Sequence, residues 1–452
     1  GYSMNQDVFE KYPIPKAVFT MALPTVLSML VTVFYNMADT FFVGQTGDAN
    51  QVAAVSLTTP VFLLAMAVGN IFGIGGSSFI SRLLGEGLTE KAKKVSAFCC
   101  YASIAFGIIM MLFFLGGMNV ILKMIGADSS TYAFAQDYLT YIGYGAVFIV
   151  FSNAFGNIIR SEGAAKQAMI GMMIGTVVNI VLDPIMILGM NMGVSGAAIA
   201  TVIGNICATI YYLFYFLKGK TILSIAPKDF SINREIMIGV FSIGIPASLN
   251  NVLMSVSNIV LNIYLVSYGT LAVAGMGVAM KVNILVILVC LGVGMGVQPL
   301  VGYNYGSGNH HRMKQIIKFG ILCNVCIGTL VSIVYCLFTK PIISAFIKDP
   351  AVIDYGITML RVLMISAPFI GIMFIFNFSF QAMGKALPSL LLSIGRQGLF
   401  FFPILILSNK FFGLEGVIFA QPLSDIASVF ISLGMFLIIR KQLYELSQKG
   451  GC

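Results

Sequence analysis

Gly73-Ile74-Gly75 and Gly85-Glu86-Gly87 return as Gly294-Met295-Gly296 and Gly306-Ser307-Gly308, 221 positions further along the chain. At the same offset Val52, Val61 and Gly163 meet Val273, Val282 and Gly384. Ala22-Leu23-Pro24-Thr25 meets Gly244-Ile245-Pro246-Ala247 at an offset of 222, and Gly193 and Gly196 meet Gly413 and Gly416 at 220. Nearly constant offsets held from residue 22 to residue 196 mark a duplicated unit.

Composition says what the unit is made of. Of 452 residues, 58% are hydrophobic and 10% charged, and the mean hydropathy is +0.95. A soluble domain is about a quarter charged, so the solvent for most of this chain is lipid. In hydrocarbon the backbone satisfies itself only as helix or closed barrel. The apolar runs are long and continuous instead of short and alternating, which predicts helices. The spans are expected near 16–43, 52–81, 94–115, 133–156, 167–189, 196–217, 236–267, 273–302, 315–338, 355–380, 387–408 and 416–439. The predicted fold class is an all-α integral membrane protein: about twelve transmembrane helices in two six-helix bundles. The expected division is a first lobe over 4–217, a linker over 218–235 and a second lobe over 236–443.

The net charge of +9 invites a nucleic-acid reading, but the basic residues lie in short connections and form no basic helix. With both termini cytoplasmic, 19 Lys and Arg fall on the inner side and 4 on the outer, with Lys281, Arg361 and Arg396 inside spans. That bias fits the positive-inside rule and supports the helix count. Six spans return the chain to its starting side. The halves are therefore parallel repeats about an axis along the membrane normal, an arrangement that places a cavity between them. The first apolar run is too long for a cleavable signal, and Gly1-Tyr2-Ser3 before Met4 reads as an expression remnant. Seven of the eight cysteines lie in apolar runs and are expected to pack, the Cys323/Cys326 spacing included. His310 and His311 are expected to be solvated loop residues.

No ATP machinery is visible: Gly219-Lys220-Thr221 lacks the upstream glycine of a phosphate loop, Phe214 standing there instead. No HExxH or GxSxG motif appears, so no enzyme is expected. Transport driven by an ion gradient is what remains. A charge at mid-membrane costs several kcal/mol, so the acids inside spans need a reason. These are Asp39, Asp183 and Asp425. Asp39 and Asp183 lie late in two outward-running spans, at similar depth. Asn36 and Asn179 stand three and four residues before them on the same helix faces. Two close carboxylates with amide neighbours suit a proton or Na⁺, because both cannot stay ionised cheaply. The second half has Leu261 and Phe402–Ile404 at the matching positions, so such a site belongs to the first half alone. Lys281 either lines a cavity in the second half or neutralises Asp425; Arg396 is the other candidate partner. Pro24 and Pro184 share helices with the acids and are the best candidates for gating kinks.

The chain resembles the multidrug and toxic compound extrusion (MATE) superfamily over nearly its whole length. Four features carry the resemblance: the duplicated spans; Pro24 with Ala38-Asp39-Thr40-Phe41-Phe42-Val43-Gly44; Val178-Asn179-Ile180-Val181-Leu182-Asp183-Pro184; and Gly193-Val194-Ser195-Gly196-Ala197-Ala198-Ile199-Ala200-Thr201. Asp39, Asn179, Asp183 and Thr201 match the first-lobe cation site of the bacterial DinF-like and MepA-like branch, where Na⁺ is a possible occupant. Asn157 stands where that branch often has a further polar ligand. The resemblance implies export of amphipathic, mostly cationic compounds in exchange for H⁺ or Na⁺, with no other cofactor. It implies a protein of the bacterial plasma membrane, expected to be a monomer, with neither ATP nor nucleic acid as partner. NorM-like members also carry second-lobe acids; here that lobe offers Asn250, Asn251, Asn258, Asn262 and Lys281, which favours coupling through Asp39 and Asp183. A lipid-linked precursor flippase and a narrow metabolite exporter of the same superfamily are the alternatives.

Overall fold

A computed structural model describes residues 2–450, with side chains omitted for residues 2–5, 36, 37, 40, 447 and 449. After a short α1 (Tyr2–Glu10), long helices follow one another: α2 (Ile14–Gly44), α3 (Ala49–Gly85) and α4 (Thr89–Gly116). A short α5 (Met118–Met124) precedes α6 (Tyr132–Tyr144) and α7 (Ala146–Ser161). Next come α8 (Ala165–Asp183), continued by a π-helical turn over Pro184–Gly189, and α9 (Val194–Leu217). The second series is α10 (Arg234–Val266), α11 (Thr270–Gly306), α12 (His310–Leu337), the short α13 (Thr339–Phe346), α14 (Pro350–Leu363) and α15 (Ala367–Ala382). It ends with α16 (Ala386–Ile394), a π turn over Gly395–Leu399, α17 (Phe401–Phe412) and α18 (Leu414–Gly450).

Among the described residues ten helices are long and apolar enough to cross a membrane, and twelve spans result if each bent pair counts once. The twelve expected spans all find a helix or helix pair. The structure differs where it breaks the fourth and tenth spans: α6 and α7 meet at 57°, α14 and α15 at 51°. Each break has a local cause. Gly145 lies against Val202, where a Cβ would come within 2.4 Å of the valine. Pro368 stands at the start of α15 and withholds an N–H from the preceding turn.

The first six spans pack on the second six through α3 with α10, α2 with α11 and α3 with α11. Backbones touch there. A Cβ on Gly75 would lie 2.1 Å from the Val240 carbonyl, and one on Gly244 2.0 Å from that of Ile71. Gly85 and Gly306 meet the Tyr303 and Arg82 carbonyls at 2.0 and 2.2 Å in the same way. All these approaches lie toward one end of the bundle, where α2 and α10 begin and α3 and α11 finish. Arg82 reinforces that end: its guanidinium donates to the Ala382 carbonyl at 3.0 Å and to Ser78 Oγ at 2.6 Å. Beside it α1 grips the second series. Phe9 stacks on Tyr303 with ring centroids 4.5 Å apart, and Arg312 Nε donates to the Phe9 carbonyl at 2.6 Å.

Candidate cation site between α2, α8 and α9

The site is assembled from helix periodicity. Tyr35 and Asp39 stand four apart on α2, Asn179 and Asp183 four apart on α8, so each pair presents one face. The α2–α8 and α8–α9 contacts bring these faces to Thr201. Tyr35 Oη and Thr201 Oγ1 are 2.9 Å apart. Asn179 Nδ2 donates to Thr201 Oγ1 at 3.5 Å, and Thr201 in turn donates to the Ala197 carbonyl at 3.0 Å. The Asp39 and Asp183 carboxyls are near enough to share a hydrogen bond. Tyr138 of α6 lies within electrostatic reach of both acids and of Tyr35.

Burial is nearly complete: Asp183 is 0% exposed, Thr201 1%, Asn179 3% and Asp39 7%. Asp39 Oδ1, Asn179 Oδ1 and both Asp183 oxygens are buried with no hydrogen-bond partner among the described residues. Each is an acceptor. Leaving one buried polar atom unsatisfied costs about 1–3 kcal/mol, and ionised carboxylates cost more. Four such oxygens on adjoining helix faces are acceptors that a positive charge could satisfy. A proton shared by the two acids could do so. So could Na⁺, a hard cation that takes oxygen ligands, through Asp39, Asn179, Asp183 and Thr201.

The π turn sits at this site. Pro184 offers no N–H, so α8 cannot continue its regular ladder past Asp183 and widens over Pro184–Gly189. On α2, hydroxyls hydrogen-bond back around Pro24: Thr25 Oγ1 to the Met21 carbonyl at 2.8 Å, Ser28 Oγ to the Pro24 carbonyl at 3.0 Å. Both prolines thus share helices with the acids in the structure.

Asn157 hydrogen-bonds within α7: its Oδ1 accepts from Arg160 at 3.0 Å and its Nδ2 donates to the Asn153 carbonyl at 3.1 Å. The side chain of Asn36 lies outside the described residues. Lys281 does not neutralise Asp425. Arg396 does, Nε to Oδ1 at 2.8 Å, while Lys281 is exposed on α11 and forms no ion pair among the described residues. Of the two candidate partners for Asp425, Arg396 is the one that pairs with it; helix rotation, not legible in sequence, decides between them. Arg361 is exposed, with its Nε 3.3 Å from Thr339 Oγ1. Tyr35 and Tyr138 were missed. The signal for Tyr35 was its place four residues before Asp39; nothing in the sequence singles out Tyr138.

The MatE family model matches residues 24–185 and again 246–407. The chain belongs to the MatE family. It is 34% identical to the multidrug export protein MepA of Staphylococcus aureus over 440 residues, 96% of both chains. Among solved structures, a MATE in complex with MaL6 superposes with a TM-score of 0.92 at 27% identity, covering 98% of this chain and 99% of that one. The outward-facing conformation of a multidrug resistance MATE family transporter of the MOP superfamily gives 0.91 at 27% identity, with 98% of each chain covered. The family expected from Asp39, Asp183 and the duplicated spans is thus the family found, and the chain is a multi-pass membrane transporter, not an enzyme.

Proposed function

We propose that this transporter is a secondary active multidrug antiporter, exporting amphipathic, mostly cationic compounds in exchange for inward H⁺ or Na⁺. The observation that carries the coupling is the set of donor-less oxygens on Asp39, Asn179 and Asp183. The names of the curated relatives support the export of drugs. In this reading the cation enters between Asp39 and Asp183, ties α2 to α8, and changes the course of α2 around Pro24, with Pro184 giving on the other side. Drug and cation then alternate, because each favours a different position of α2. Residues 4–217 and 236–443 act as two lobes joined by the linker 218–235, a division supported by the two matches of the family model. The termini and the basic turns face the cytoplasm of a bacterial cell, the protein works as a monomer, and neither ATP nor nucleic acid takes part.

The test is ethidium efflux from liposomes carrying the purified protein, with a pH gradient and a Na⁺ gradient imposed separately. Efflux driven by one gradient is expected and names the ion. Well-folded protein that responds to neither overturns the antiporter reading in favour of a flippase or a narrow metabolite exporter.

A further inference from the structure

The second series of helices has its own small cavity of ≈ 80 Å³, reached by α10, α11, α18 and the π turn at Gly395–Leu399. One wall is apolar and adaptable, with Met254, Met276 and Met280. The other holds a buried ion pair whose two members are unequally satisfied. Asp425 is 3% exposed and both its oxygens are engaged: Oδ1 accepts from Arg396 Nε and Gln421 Nε2, each at 2.8 Å, and Oδ2 from Ser366 Oγ at 2.9 Å. Arg396 is 6% exposed and lines the cavity. Only its Nε is used. Its terminal N–H groups make no hydrogen bond among the described residues, and they are not among the fully enclosed polar atoms. Phe374 lies against the guanidinium, 5.3 Å from Cζ to the ring centroid, and Ser424 Oγ donates to the Arg396 carbonyl at 2.6 Å. The fork is therefore held in place with its open donors toward the cavity.

A guanidinium whose acid partner takes only its Nε keeps an anion receptor free: a planar fork with two N–H groups matches a carboxylate. Organic cations meet a positive edge there. Asn258 and Asn283 line the same cavity and make no side-chain hydrogen bond among the described residues, so amide donors stand ready beside the fork. The geometry points to a carboxylate-binding subsite at Arg396, which lets the protein take zwitterionic amphiphiles as well as plain cations. Asp425 is a positioning residue: with Gln421 and Ser366 it fixes Nε and turns the free end of Arg396 outward. The inference rests on the drug-export reading above and deepens it by naming a substrate class.

Rhodamine 110 and rhodamine 123 test it, being the free carboxylic acid and methyl ester of one dye. Binding of each to the purified full-length protein is followed by fluorescence anisotropy. The wild type is expected to bind both. The double variant Arg396→Gln/Asp425→Asn removes both charges together and is expected to lose about tenfold or more in affinity for rhodamine 110, with rhodamine 123 unchanged. Arg396→Lys keeps Asp425 paired while losing the fork; should the double variant fail to fold, the same selective loss in Arg396→Lys carries the test. Equal losses for both dyes, no loss for either, or a wild type that binds only the ester overturn the subsite. Gradient-driven ethidium efflux by the wild type, run alongside, separates failure of the subsite from failure of the antiporter reading.

Discussion

Glu162, at the end of α7, is 1% exposed. It accepts from the Tyr215 hydroxyl, from Thr221 Oγ1 at 2.8 and 2.7 Å, and from the Ile222 amide at 3.3 Å. It so ties the turn after α7 to the stretch that follows α9. Burial pushes its carboxyl up to about 7, against the opposing pull of the Tyr215, Thr221 and backbone donors. A raised carboxyl binds its proton more tightly in the folded protein than in the unfolded chain. Its stabilising effect is therefore full below the ordinary value of 4.5 and is lost as pH climbs through about 7. The melting temperature of the wild type relative to Glu162→Gln should fall between pH 5 and pH 8, by the equivalent of a few kcal/mol. A pH-independent difference would contradict this. The cation site follows similar reasoning about cost. Asp39 and Asp183 were legible because charge in lipid is expensive, and their helix spacing gave Asn179. Tyr35 and Tyr138 were not, since tyrosine in a membrane helix is unremarkable until a neighbour's position is known. The bond between Asn157 and Arg160, one turn away, was not legible either, because sequence gives a residue's span but not its rotamer.

Periodicity and length set the helices, and both are plain in the sequence. The twelve runs recur as helices or helix pairs. The missed features were breaks and short pieces: the bends before α7 and α15, the π turns after α8 and α16, and the small helices α5 and α13. Each depends on a tertiary contact or a local hydrogen-bond pattern that hydropathy does not report. At this scale one close backbone contact carries a prediction. Gly244 allows α10 to lie on the Ile71 carbonyl of α3, and a side chain there must push the helices apart. Gly244→Leu should lower ethidium efflux about tenfold or more by blocking that closure, while ethidium binding to the purified protein persists; overpacking of this kind costs about 1–3 kcal/mol or more. Wild-type efflux from Gly244→Leu would show that α3 and α10 need not approach so closely during the cycle.

For the whole molecule, the duplication explains how two copies of one unit close on each other. Gly85 meets the Tyr303 carbonyl and Gly306 meets that of Arg82, residues that exchange under the same offset of 221. The chemistry is not duplicated. The first six spans hold an acid pair with unpartnered oxygens, and the second six an ion pair with donors to spare. The proposed antiport would use that asymmetry: one half would sense the driving ion while the other is free to read the cargo. In the proposed cycle α2, which runs from close contact with Gly292 and Gly296 to Asp39, would link the ion to closure. The most direct test is gradient-driven ethidium efflux by Asp39→Asn and Asp183→Asn in liposomes, with ethidium binding measured on the same preparations. The account predicts that both variants fold and bind ethidium yet lose gradient-driven efflux; efflux at the wild-type rate in both would contradict it.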